Sequence, residues 1–230
     1  MDVSSLASTI DHTVLKPDST LDNVRTLVHE AITHRFASVC ILPWHVADAA
    51  LIRGAHPLPI CTVIGFPLGA SATTTKVYEA VESIKNGASE IDMVASITAL
   101  KSGQRDRLFA DIRDVTSAVH DHGAIVKVII ETCLLTNEEK LLMCEAVTEA
   151  GADFIKTSTG FSTGGATLDD VRLLRLHVGP NVQVKASGGI RDAATAVAMI
   201  NAGATRLGTS SGVGIVSEGR RDGSTEVLKY

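Results

Sequence analysis

No cluster of lysines or arginines occurs anywhere in this chain, whose net charge is −5 at pH 7. A nucleic-acid partner is therefore not expected, because phosphate backbones are met by basic patches or stripes. No apolar stretch approaches the length needed to cross a bilayer, so no membrane role is expected. Met1–Ile10 also lacks the basic start and apolar run of a secretory signal. Cysteines are few, and Cys40, Cys61, Cys133 and Cys144 show no C-x-x-C spacing. They read as reduced, mostly buried thiols, which predicts a cytoplasmic protein. What the chain does have is 230 residues, 45% of them hydrophobic, enough for one sizeable core and one domain.

Short β-branched runs alternate with stretches of helical period along the whole length. Eight strands are predicted: Thr9–Thr13, Ser38–Leu42, Cys61–Phe66, Glu90–Ala95, Ala124–Glu131, Asp153–Ser158, Val182–Ser187 and Arg206–Ser210. Between them lie helices with readable ends. In Thr73–Asn86, Val77, Ala80, Val81 and Ile84 form one apolar stripe before Gly87. Thr136 and Glu139 have capping-box spacing ahead of Leu141–Ala150, and Thr167-Leu-Asp-Asp170 opens another helix with an acidic first turn. A weak repeat supports the pattern: Gly-Ala recurs at 87, 151 and 203, and five residues beyond each glycine stand Asp92, Lys156 and Gly208. Eight such units in this length predict a single (β/α)₈ TIM barrel over residues 1–215. Residues 216–230 are polar and charged, and are expected to form a flexible tail.

Strands of a parallel sheet covered by helices should be apolar on both faces. Several here are not. Glu90 and Asp92 share one parity, Lys127 and Glu131 alternate with valines and isoleucine, and Lys156 with Ser158 and Lys185 with Ser187 do the same. The polar set is predicted to face the barrel interior, where isolated charges are costly. Near the C-terminal strand ends that pattern signals chemistry. A lysine amine attacks a carbonyl only when uncharged, and a neighbouring cation or burial favours that form. Lys156 and Lys185 lie on consecutive strands, with Lys127 on the fifth, so one lysine can attack while another tunes it. The residues alone do not decide which. Asp92 can move the protons or act as their counter-ion.

A phosphate site is predicted beside the lysines. Ser187-Gly188-Gly189 ends the seventh strand before a helix, and Gly208-Thr-Ser210-Ser211 ends the eighth. Loops in these two places, with a helix N-terminus, recur as phosphate sites in barrels. Thr157-Ser-Thr159-Gly160 adds a third polar mouth segment.

These same elements carry a resemblance. Phe154-Ile-Lys-Thr-Ser-Thr-Gly160, Val184-Lys-Ala-Ser-Gly-Gly-Ile190 and Glu90-Ile-Asp-Met-Val94 resemble motifs of deoxyribose-phosphate aldolases. So do Ile10-Asp-His-Thr13, Val39-Cys-Ile41, Val63-Ile-Gly-Phe-Pro-Leu-Gly69, Val126-Lys-Val-Ile-Ile-Glu-Thr132 and Gly208-Thr-Ser-Ser211, in family order over roughly residues 9–214. The resemblance implies a class I, metal-independent lyase of deoxyribonucleotide catabolism. It would reversibly cleave 2-deoxy-D-ribose 5-phosphate into D-glyceraldehyde 3-phosphate and acetaldehyde. By motif match Lys156 forms the Schiff base, Lys185 tunes it and Asp92 handles protons. Asp11 and Lys127 support the network, and Cys40 lines the pocket. Thr159, Gly160, Gly188, Gly189, Gly208, Ser210 and Ser211 match the substrate and phosphate site. Tyr230 resembles a C-terminal tyrosine that relays a proton in some members. No cofactor is implied, and a homodimer is the expected assembly.

The chain departs from the family pattern at the pocket rim. Phe161 stands where some members carry a lysine that helps with phosphate, Leu42-Pro43-Trp44 replaces Asn or Tyr before Pro, and Ser96 and Thr98 replace Asn and Gly. Rival readings are a metal-dependent enzyme, another Schiff-base barrel with a different donor, and a non-catalytic phosphate-binding barrel. The eight histidines are scattered, and the one close pair, His120 and His122, falls at a helix end.

Overall fold

Residues 3–225 are described by the structure, a computed structural model. A short helix α1 (Val3–Ala7) leads into β1 (Ile10–Val14), α2 (Leu21–His34), β2 (Ser38–Ile41) and α3 (Val46–Arg53). Next come β3 (Ile60–Ile64), α4 (Thr73–Lys85), β4 (Glu90–Val94), α5 (Ile97–Lys101) and α6 (Arg105–Asp121). The second half runs β5 (Ile125–Ile129), α7 (Asn137–Glu149), β6 (Phe154–Lys156) and α8 (Leu168–His177). It ends with β7 (Gln183–Ser187), α9 (Ala193–Asn201), β8 (Arg206–Thr209) and α10 (Gly212–Thr225). Every strand is parallel to its neighbours, and β8 pairs with β1 through Asp11–Gly208 and His12–Thr209, so the barrel closes. No helix among the described residues is long and apolar enough to cross a membrane.

Side-chain alternation sorts the strands into two environments. Val39, Ile41, Ile91, Met93, Val126, Val128, Ile155, Val184 and Leu207 point outward into one continuous core shared with the helices. Each such buried chain contributes about 1.5–3 kcal/mol. The opposite parity fills the barrel, with a small apolar cluster of Leu15, Cys40, Cys61 and Val63 beside the β1–β3 side. Asp11, Glu90, Asp92, Lys127, Lys156, Lys185 and Arg206 share that inward parity. The register therefore decides both the core and the site, because a one-residue slip would exchange them.

Helix ends follow the capping chemistry. Thr136 accepts from the Glu139 N–H while the Glu139 carboxylate accepts from the Thr136 N–H at 2.8 Å, so α7 begins four residues ahead of the apolar run that marks it in the sequence. Thr167 caps α8 through the Asp170 N–H. One strand boundary changes. The fifth strand stops at Ile129, because Glu131 takes a left-handed backbone (φ 53°) that ends the extended run. After β8, Gly212–Thr225 forms α10, with Ile215 and Val216 buried near its start. The last five residues, with Tyr230, lie outside the described part.

Candidate active site

Six strands send a charged side chain inward, and all of these converge within hydrogen-bonding reach. Asp92 stands at the centre. Its Oδ2 accepts from Lys156 Nζ at 2.6 Å and from Lys185 Nζ at 2.7 Å, so the two lysines of β6 and β7 meet on one oxygen. Its Oδ1 accepts from Lys127 Nζ at 2.9 Å and from the Cys61 thiol at 3.1 Å. Lys185 pairs also with Asp11 at 2.5 Å, and Lys127 with Glu90 at 2.6 Å. Arg206 closes the set, binding Asp11 at 2.7 Å and Glu90 at 3.2 Å.

The pairing decides the electrostatics. Burial alone would push the Asp92 carboxyl up, but Lys127, Lys156 and Lys185 outweigh it and hold the group well below the usual carboxylate range. Asp11 is lowered for the same reason, burial being overcome by Lys185, Lys127 and Arg206. Burial likewise opposes the charge on Lys127 and Lys185, yet both are held above the ordinary lysine value. Asp92 acts first on Lys127, and Asp11 first on Lys185. Burial lifts the Cys61 thiol well above its ordinary value, so it stays protonated and donates. The network thus holds four cations, Lys127, Lys156, Lys185 and Arg206, against three carboxylates, Asp11, Glu90 and Asp92. Lys156 is the one with a single carboxylate partner, and the one lysine of the network that reaches the cavity above.

That cavity has a volume of about 370 Å³ and sits over the C-terminal ends of β1, β6, β7 and β8. Lys156, Thr159, Gly160, Gly188, Gly189, Gly208 and Ser210 of the predicted residues line it. Ser211 does not; its N–H turns to Thr209 Oγ1 at 2.9 Å. Cys40 stays in the apolar cluster below, and Asp11, Asp92, Lys127 and Lys185 form the floor network. Gly188 and Gly189 both have left-handed backbones (φ 86° and 82°), a conformation that side chains disfavour. Gly165 is required by proximity instead, because a Cβ there would lie 2.3 Å from Gly188 O. The Ala166 N–H spans the same contact, donating to Ser187 O and Gly188 O at 3.1 Å each.

Sequence reading missed several of these parts. Glu90 shares Asp92's parity but received no role, and Arg206 opens a strand of otherwise small residues. Glu131, buried just beyond β5, accepts from both the N–H and the hydroxyl of Thr159 and so fixes the loop after β6. Its left-handed backbone is invisible in the residue pattern. Leu15 and Lys16 bring the loop after β1 into the cavity wall, with no periodicity to announce them. The histidine pair separates: His120 bridges Asp153 at 2.8 Å, while His122 bonds Ala118 O. Among the described residues, two buried sets, Cys40–Cys61–Asp92 and Asp11–Cys61–Glu90, have ligand spacing for a metal. Both share their carboxylates with ammonium groups of the network.

The pattern that defines the DeoC/LacD family aldolases matches residues 5–218. A deoxyribose-phosphate aldolase from Brevibacillus brevis is 54% identical over 94% of this chain and 96% of its own. One from Geobacillus sp. is 55% identical over 93% of this chain and 95% of its own. Among solved structures, the tetrameric deoxyribose phosphate aldolase from Aeropyrum pernix superposes with a TM-score of 0.88 at 34% identity, covering 94% of this chain and 91% of that one. Likeness of this extent, in sequence and in fold alike, means that the chain belongs to the DeoC/LacD family of aldolases.

Proposed function

We propose that this aldolase reversibly cleaves 2-deoxy-D-ribose 5-phosphate to D-glyceraldehyde 3-phosphate and acetaldehyde through a Schiff base on Lys156. The observation that carries the reading is the position of Lys156: its Nζ shares Asp92 Oδ2 with Lys185, and its side chain forms part of the cavity wall. Four interior cations face three carboxylates, and Lys156 is the one with a single carboxylate partner, which supports it as the amine that reacts.

The uncharged amine adds to the C1 carbonyl of the open-chain sugar, and the carbinolamine expels water to give an iminium ion. The C2–C3 bond then breaks. Its electron pair moves into the C1–C2 bond as an enamine, and the C3 hydroxyl gives up its proton as that carbon becomes the new aldehyde. Protonation at C2 and hydrolysis release acetaldehyde and restore Lys156. Asp92 is within reach of the Lys156 nitrogen and holds the ammonium of Lys185 beside it, which favours proton exchange through that carboxylate or a water. Backbone N–H groups around Gly188 and Gly189, the Ser210 hydroxyl and the start of α9 suit a phosphate at the far end of the cavity. A volume of about 370 Å³ is at the small end for ligand pockets, in keeping with a small sugar phosphate. The relatives' names supply the substrate class. We further propose a cytoplasmic homodimer that needs no metal or organic cofactor.

Borohydride reduction in the presence of acetaldehyde, followed by peptide mass mapping, tests the mechanism. The expected product is a stable N-ethyl adduct on Lys156. An adduct on Lys185 would exchange the two roles, and none at all would end the Schiff-base reading.

A further inference from the structure

The cavity wall is cationic in a protein that is acidic as a whole. Lys16, Lys156 and Arg191 line it and, among the described residues, no aspartate or glutamate does, although the chain carries a net charge of −5. Lys156 is engaged below by Asp92. Lys16 is different: it is exposed, and its ammonium meets no carboxylate or carbonyl among the described residues, whereas Lys85 and Lys101 on the outer surface are each paired at 2.6–2.7 Å.

Its backbone is nonetheless fixed. Leu15 is buried in the apolar cluster against Cys40, Cys61 and Val63. Pro17 follows in a turn closed by the Ser19 N–H on Lys16 O at 3.0 Å, and Thr20 then caps α2 with a full capping box. The loop after β1 is therefore held at both ends, and near its start stands a cation with no partner among the described residues. Because β1 pairs with β8, this loop rises directly beside the one that carries Ser210. Phe161, which lines the same cavity, packs edge-on against Phe66 with centroids 5.2 Å apart and supplies no charge.

We infer that Lys16 is a specificity-determining residue: its ammonium grips the phosphate of the substrate from the β1 side, opposite the glycine backbone of the β7 loop. The inference rests on the phosphorylated substrate proposed above and adds which side chain selects for it. A lysine on a flexible stem acts here as a mobile point charge, closing on the dianion once it arrives. A charged hydrogen bond of this kind changes affinity by roughly tenfold or more.

The test compares 2-deoxyribose 5-phosphate with unphosphorylated 2-deoxyribose in the Lys16→Met enzyme. The ratio of their kcat/KM values is expected to fall roughly tenfold, mostly through KM for the phosphorylated sugar. Inorganic phosphate should inhibit the variant correspondingly less. Lys16→Arg should recover most of the ratio, and Lys85→Met, on the outer face of α4, should leave it as it was. An unchanged ratio, or equal losses on both sugars, would overturn the role of Lys16. Acetaldehyde trapping on Lys156 in the same samples separates the two ideas. A normal adduct with an unchanged ratio removes only Lys16's part, whereas absence of the adduct in the unaltered enzyme removes the Schiff base itself.

Discussion

Replacing Lys156 with methionine is expected to lower kcat by about 10⁴-fold or more while the barrel stays folded. The loss follows from chemistry, because a thioether forms no imine and no other lysine of the network lines the cavity. Retention of the fold follows from charge. Without Lys156, Asp92 still accepts from Lys127 at 2.9 Å and Lys185 at 2.7 Å, and three cations face three carboxylates. Methionine also keeps the length and flexibility needed to fill the space left behind. Steady-state cleavage assays and thermal unfolding, run side by side, check both halves. More than about a hundredth of the original kcat would move the nucleophile elsewhere. A large drop in Tm would show that Lys156 is chiefly a structural cation.

The opposite balance is expected for Asp92→Asn. One uncharged amide would then face Lys127, Lys156 and Lys185, with Asp11 and Glu90 left to neutralise four cations. Breaking a buried pair by removing one partner costs about 3–5 kcal/mol, and here one anion serves three partners. Chemical denaturation should show a loss of at least that size, together with loss of cleavage. A variant of full stability would mean that the interior charges are already well hydrated.

The same groups set the pH range. Asp92 and Asp11 are lowered, so the stability they contribute is present above the ordinary carboxylate value, near pH 4, and is lost as pH falls through their depressed values. Lys127 and Lys185 are raised, so theirs is complete below about pH 10 and is lost as pH rises beyond their elevated values. Unfolding free energy should therefore be nearly flat between about pH 5 and 9 as far as these groups are concerned. His12 adds a small slope at the acid end: burial outweighs Glu30 and lowers its pKa, so acidification below its ordinary value near 6.5 favours unfolding. A steep change across neutral pH would contradict this account.

Much of the barrel was legible because two periodicities coexist in the chain. Parity within the strands separated Asp92, Lys127, Lys156 and Lys185 from the valines and isoleucines between them, and the same parity is what faces inward. Glycine pairs at 188–189 and the Ser210 loop were legible for a different reason, since their place after the last two strands is recurrent in this architecture. The remainder depended on contacts between distant segments. Nothing near Arg206 indicates that it reaches Asp11 and Glu90, and nothing near Glu131 indicates a left-handed turn that pins Thr159. Lys16 lies outside any periodic segment, and only closure of the barrel brings it beside Ser210. Helix α10 was not legible, because Ser217–Thr225 is rich in glycine, serine and charge, a composition of weak helix propensity. Packing of Ile215 and Val216 overrides that preference locally.

Arg206 and Asp11 are 195 residues apart in the chain yet 2.7 Å apart in space. On a ribosome, therefore, seven strands can emerge while the first still has an open edge and its aspartate awaits its guanidinium. Arg206 joins Asp11 and Glu90, as the fourth cation of the interior set, only when the eighth strand is released. A chain truncated before residue 206 would leave the β1 edge unpaired and Asp11 and Glu90 without their guanidinium, a sticky edge prone to pairing with other chains.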